Sequence, residues 1–283
     1  MSSFLVSLSL LLTAAIYSRG WVRLRRRLPH RFGWRQLLCF MAGLDLIFVA
    51  LVSPLDAWAA GSLLGHMTQH LVLMMIAPPL IWLGAPVAPL LRGLPAPLAK
   101  VLIISVLTWA PLRELSRMLT HPAVGWLAFA VATWAWHVPA LYELALRSHA
   151  WHHVEHVCFL LTALLFWWPV VQPWPSRPRW PRWAMVPYLL LAEVQGTVLA
   201  AFFTFAGRPL YPTYATAQGG VSALQDQVMA GVLMWGLGSL SLLVPAGCLV
   251  VRLLAPAKAT LEERPVHVGS ALSWPQGITP DRR

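Results

Sequence analysis

The chain has 283 residues, 58% of them hydrophobic and only 11% charged, with a mean hydropathy of +0.63, whereas ordinary soluble domains carry about 25% charged residues. That balance excludes a water-soluble globular enzyme and points to an all-α, polytopic membrane helix bundle whose main solvent is the lipid bilayer. The formal net charge of +11 would suggest nucleic acid in a soluble protein, but the basic residues fall between apolar segments, so they read as membrane topology and no nucleic-acid partner is expected.

Phe4 to Ile16 is the first apolar run. Its positive residues follow it, where a secretory signal would carry them in front, so it reads as a first membrane helix with its N-terminus outside. Arg19, Arg23, Arg25, Arg26, Arg27, Arg31 and Arg35 come next and read as a cytoplasmic anchor. A second helix is predicted from about Gln36 to Val52, carrying Asp45 and ended by Ser53-Pro54-Leu55-Asp56. A third starts near Gly61, carries His66 and His70, and runs to about Leu83, with Pro78-Pro79 expected to kink it. Pro86, Pro89, Pro95 and Pro97 mark a loop.

Leu98 to Leu119 is broken by Pro111 and charged beyond it, so an interfacial or partly buried helix is expected there and not a span. The fourth span covers about Pro122 to Pro139 and carries His137 near its end. The fifth covers about Trp151 to Val171, the sixth Trp183 to Phe205 with Glu193 and Gln195, and the seventh Leu224 to Leu254 with Asp226 at its start. Residues 1–255 thus form one seven-helix transmembrane domain. Residues 256–283, polar and rich in proline, are expected to be a disordered cytoplasmic tail.

Seven spans with the N-terminus outside place every lysine and arginine on the cytoplasmic side except Arg147 and Arg208, out of 21. Counting Leu98 to Leu119 as a span would destroy that asymmetry, so the positive-inside rule decides the ambiguous piece. The same topology brings His66, His70, His137, His149, His152, His153 and His156 to the outer face, with Asp226 beside them. An internal repeat is also visible. A helix, a proline-led connection and H-x-x-Q-H (His66 to His70) resemble a helix, a proline-led connection and H-x-x-E-H (His152 to His156).

Histidines four apart share a helix face, and imidazole is the commonest metal ligand. A lone membrane histidine is often a packing residue. Two same-face pairs with His137 nearby favour a metal or cofactor site, because polar groups are costly in lipid. Glu155 is expected beside the ligands, able to hold one in place or move a proton. Met67, Met74 and Met75 neighbour the first pair, and thioethers suit Cu(I), although methionine is also common apolar filler. Asp226 can ligate, orient a histidine or cap a helix. Asp45 and Glu193 lie deeper, as proton-relay or structural groups. Cys39, Cys158 and Cys248 make no paired motif. Three site chemistries stay open: copper handling, a membrane zinc hydrolase with Glu155 as base, and a bis-histidine haem carrier.

Three blocks carry a family resemblance. S-P-L-D (Ser53 to Asp56) leads into H-M-T-Q-H and then A-P-P-L and L-G-A-P. W-H-V-P-A-L-Y (Trp136 to Tyr142) leads into H-H-V-E-H and F-W-W-P (Phe166 to Pro169). D-Q-V-M-A-G-V-L-M-W spans Asp226 to Trp235. Together they resemble the caa3-type cytochrome c oxidase assembly factor family, the multi-span membrane type known as CtaG. The resemblance implies a multi-pass protein of the bacterial plasma membrane that assists oxidase maturation by handling copper as Cu(I), with zinc as the alternative metal. Implied partners are cytochrome c oxidase subunits and periplasmic or extracellular copper carriers. The implied metal ligands are His66, His70, His137, His152, His156 and Asp226, supported by Glu155 and Met67, with no catalytic residue. His149 and His153 match nothing in the family pattern.

Overall fold

A computed structural model describes residues 3–176, 180–214 and 221–255. Its main compact unit ends at Leu253; the expected disordered tail lies outside the described residues. In chain order the helices are α1 (Ser3–Arg27), α2 (Trp34–Val52), α3 (Pro54–Gly61), α4 (Leu63–Leu71), a π turn (Val72–Ile76), α5 (Ala77–Leu83), α6 (Val87–Gly93), α7 (Ala96–Thr108), α8 (Ala110–Leu119), α9 (Pro122–His137), α10 (Pro139–Arg147), α11 (His149–Val171), α12 (Met185–Phe205) and α13 (Ala223–Leu254). No strand occurs among the described residues. Among the described residues, six stretches are long and apolar enough to cross a membrane, and a seventh arises if α9 and α10, bent by 75°, count as one.

Helix α1 outruns its apolar segment and takes in the arginines as far as Arg27, where basic side chains face the negative end of the helix dipole. The Arg25 guanidinium lies 5.0 Å from the Trp21 ring and 4.4 Å from that of Trp34, a cation–π sandwich. Tyr17 stacks on Phe40 with centroids 3.8 Å apart and donates its hydroxyl to the Gly84 carbonyl at 2.7 Å. The segment from Pro86 onward, expected as a loop, instead forms α6. Its prolines sit at the N-cap and in the first turn, where a missing N–H costs nothing. A Cβ on Gly20 would collide with the Pro89 carbonyl, and one on Gly93 with that of Ile16, so α1 and α6 touch backbone to backbone.

The 13 residues of α7 give roughly 20 Å, short of the ~30 Å hydrocarbon core. Helix α8 buries none of its residues. Neither is long and apolar enough to span, as the charge pattern requires.

Pro78 and Pro79 do not break the third apolar stretch. They fall in the first turn of α5, and the irregularity lies before them, in the π turn. The core runs along α4, α5, α9, α11, α12 and α13. Phe129, Phe159, Phe166, Trp167 and Leu189 are essentially fully buried. The Trp167 indole donates to the Met74 carbonyl at 3.0 Å, inside the π turn, and so ties that turn to α11. The three cysteines are free thiols, with Cys158 packed against the main core.

The two proline-led connections, expected as loops, are the short helices α3 and α10, each with proline in its first turn. The repeat is therefore helix, short helix, histidine helix: α2-α3-α4 and α9-α10-α11. The register matches closely. Ser62 and Ser148 are the N-cap residues of α4 and α11, and the histidines occupy the fourth and eighth positions of both helices. The seventh position is Gln69 in one and Glu155 in the other, both completely buried.

Candidate metal centre

His66 and His70 project from α4 one turn apart, and His152 and His156 project likewise from α11. The seven steps from Leu63 to His70, and from His149 to His156, place the cluster roughly 5–10 Å below the helix ends. The helices bring the pairs face to face: ring centroids are 5.2 Å apart for His66 and His152, and 5.5 Å for His70 and His156. Relative exposures are 1% for His66, 3% for His70, 5% for His156 and 0% for Glu155.

Among the described residues, two sets of donor atoms each gather within 4.8 Å: His66, His70 and His156, and His66, His152 and Glu155. Metal–imidazole bonds are about 2.0–2.1 Å, so a shared ion needs only small rotations of the rings. Glu155 aims into the cluster, where the sequence reading set it beside the ligands. Positions i, i+3 and i+4 form one helical stripe, and this places Glu155 between His152 and His156. Its oxygens are 3.8 Å from His66 Nε2 and 3.7 Å from His70 Nε2.

The hydrogen bonds fix which nitrogens are free. The Tyr214 hydroxyl donates to the Ala59 carbonyl at 3.1 Å and lies 3.1 Å from His66 Nδ1. It therefore accepts the Nδ1 proton, and His66 Nε2 is left with a lone pair. That nitrogen, both nitrogens of His70, Nε2 of His152 and His156, and both Glu155 oxygens are buried without a hydrogen-bond partner. Orphaned buried acceptors cost about 1–3 kcal/mol each, and a cation at their centre would satisfy several at once.

The remaining expected ligands have other partners. His137 belongs to neither donor set. Its ring centroid is 6.4 Å from that of His70, and its Nδ1 is 2.6 Å from the Thr133 carbonyl. Asp226 is occupied: its carboxylate accepts from Ser62 Oγ at 2.8 Å, from the Leu63 amide at 2.6 Å and from the Leu64 amide at 3.4 Å. It caps α4, the helix that carries His66 and His70, from a different helix, α13. Met67 is buried next to Leu63 and Tyr142. Asp45 belongs to neither donor set, and the Glu193 carboxylate accepts from Thr197 at 3.0 Å and Ser239 at 2.5 Å.

Three tyrosines complete the wall. Tyr142 stacks on Tyr211 with centroids 3.9 Å apart and packs against His66, and Tyr211 donates to the His137 carbonyl at 2.9 Å. Burial pushes the Tyr214 phenol up, so it stays neutral. Gln227 pins the connection that carries Tyr211 and Tyr214 to α13 by accepting from the Leu210 amide at 2.7 Å and donating to the Phe203 and Arg208 carbonyls.

Uncharacterized proteins of Mycobacterium bovis and Mycobacterium tuberculosis are each 25% identical over 254 residues, which cover 83% of this chain and 36% of their own. One of Mycobacterium leprae is 23% identical over 248 residues, 81% of this chain and 35% of its own. The chain thus spans about a third of the length of these curated relatives. No solved structure matches it. The family model described as cytochrome c oxidase caa3 assembly factor matches residues 15–255, and the chain belongs to that family.

Proposed function

We propose that this protein is a copper-handling assembly factor of the bacterial plasma membrane, which holds Cu(I) and passes it to a cytochrome c oxidase subunit. The family supports the oxidase role. The observation that carries the copper reading is the convergence of unpartnered, buried imidazole nitrogens from His66, His70 and His156. Three neutral imidazoles suit copper, and also zinc. His70 favours a cargo over a resident ion. Neither of its ring nitrogens is held by a hydrogen bond, so it can turn and release a ligand bond, whereas His66 is locked by Tyr214.

In this reading His152 and Glu155 flank the ion, and Asp226 acts by fixing α4. The charge bias of the loops supports an outer-face position for the cluster, with the N-terminus outside and the C-terminus cytoplasmic. Copper is then received from periplasmic or extracellular carriers and exchanged at shallow depth.

A second reading rests on the donor set His66, His152 and Glu155, which joins a carboxylate to two imidazoles in the manner of zinc hydrolases. Metal content of detergent-purified protein, loaded under reducing conditions, separates the two. Copper bound at the cluster in the wild type and lost from it in His70→Ala/His156→Ala is the expected result. Zinc at the same site, with hydrolysis abolished by Glu155→Gln, would move the assignment to the hydrolase. No bound metal in either protein would overturn both.

A further inference from the structure

Beside the histidine cluster lies a cavity between the α4–π-turn segment, α9, α12 and α13. Its volume is about 50 Å³, enough for an ion or a few waters. Met67, Met74, Met75 and Met234 line it, with His70 and His137 on its wall. From this arrangement we infer a second cation station, softer than the first, for a monovalent thiophilic ion of the Cu(I) or Ag(I) class, held by His137 Nε2 and methionine thioethers. The inference deepens the copper reading and rests on it for the identity of the physiological ion.

His137 supplies the first argument. The Thr133 carbonyl can only accept, so the 2.6 Å contact fixes the proton on Nδ1 and leaves the lone pair on Nε2. That nitrogen is buried and has no hydrogen-bond partner. The methionines supply the second. Four of the nine in the chain line this one cavity, and thioether ligands select Cu(I) over divalent ions.

Local geometry explains how so many reach it. Met67 and Met74 lie three residues before and four after His70, on its face of the helix. The π turn Val72–Ile76 widens the next turn by one residue, which brings Met75 round to the cavity as well. Glu193 lines the same space, and its carboxylate places negative charge near a bound cation.

His70 borders both the donor triad and the cavity. An ion moving inward breaks its bonds to His66 and His156 and forms bonds to thioether sulfur. This is ligand exchange at constant Cu(I), with no electron or proton transferred.

The test is Cu(I) titration of the full chain in detergent without oxygen, read by bound equivalents and by X-ray absorption. Wild type is compared with Met67→Leu/Met74→Leu/Met75→Leu/Met234→Leu and with His66→Ala/His156→Ala. Leucine nearly conserves methionine's volume, so the fold should tolerate the first variant. Two equivalents are expected in the wild type, with nitrogen and sulfur scattering. The methionine variant should lose one equivalent and all sulfur scattering. The histidine variant should lose the other and keep sulfur. One nitrogen-only equivalent in the wild type overturns the second station and leaves the proposed function standing. A single equivalent in the wild type, sulfur-ligated and retained in the histidine variant, supports the station and overturns the triad. No bound copper overturns both. A readout without variants is the methionine methyl carbon spectrum of the wild type on Ag(I) addition: shifts in several methyls support the station, and an unchanged spectrum overturns it.

Discussion

The Tyr214 hydroxyl fixes the His66 tautomer while its own proton goes to Ala59. Partners of this kind typically account for 10–100-fold in metal affinity. Tyr214→Phe is therefore expected to weaken Cu(I) binding about 10-fold, measured by competition with a Cu(I) chelator, with little change in fold. Glu155 acts differently. Its two oxygens face His66 and His70 without a hydrogen-bond donor, so Glu155→Gln should weaken both metals, and Zn(II) by a larger factor than Cu(I). Equal loss for the two ions in paired titrations would remove the carboxylate from the site. At this scale the histidines are legible because helical spacing alone pairs them. Tyr214 is not legible, since a tyrosine in a connection 148 residues from His66 leaves no periodic signal. The direction of Glu155 was available in principle from the i, i+3, i+4 stripe.

At the scale of elements, α4 is held at its start by two caps. Ser62 accepts from the Gly65 amide at 3.2 Å, and Asp226 takes the Leu63 amide and the Ser62 hydroxyl. Losing such a cap costs about 0.5–2 kcal/mol. Asp226→Ala should thus lower the thermal midpoint by a few degrees, at roughly 2–4 °C per kcal/mol, and weaken copper binding indirectly. Asparagine is an equally good cap, so Asp226→Asn should be much milder. If Asn and Ala were equally damaging in copper affinity but harmless to stability, Asp226 would be a ligand. The sequence places Asp226 at the start of its own helix, and its capping of another follows only from packing. The short helices α3, α6 and α10 were hidden for a related reason. Proline is a turn signal in sequence, yet in the first turn of a helix it is tolerated and even preferred. The π turn has no composition cue at all.

At the scale of the whole molecule, the long apolar stretches were legible because lipid demands about 20 apolar residues per helical span. The short amphipathic α8 was separable from a span by charge. The orientation is tested by labelling. In a chain with its three cysteines replaced by serine, Ser148→Cys and Gly207→Cys should react with an impermeant maleimide in intact cells, and Thr120→Cys only after permeabilisation. The reverse pattern would put the histidine cluster on the cytoplasmic side. The matched register of α4 and α11 has a further consequence through the one position of these eight at which the two helices differ in charge, Gln69 against Glu155. Gln69 spends its amide within its own half, on the Ala50 carbonyl and the Asp56 carboxylate. The paired halves thus place a single carboxylate among otherwise neutral imidazoles. Once ionised, that carboxylate balances a monovalent ion, whereas a divalent ion leaves one uncompensated charge in a medium where such charge is expensive. Electroneutrality then acts as a valence filter, and a second acid introduced by Gln69→Glu should shift the preference toward divalent metals.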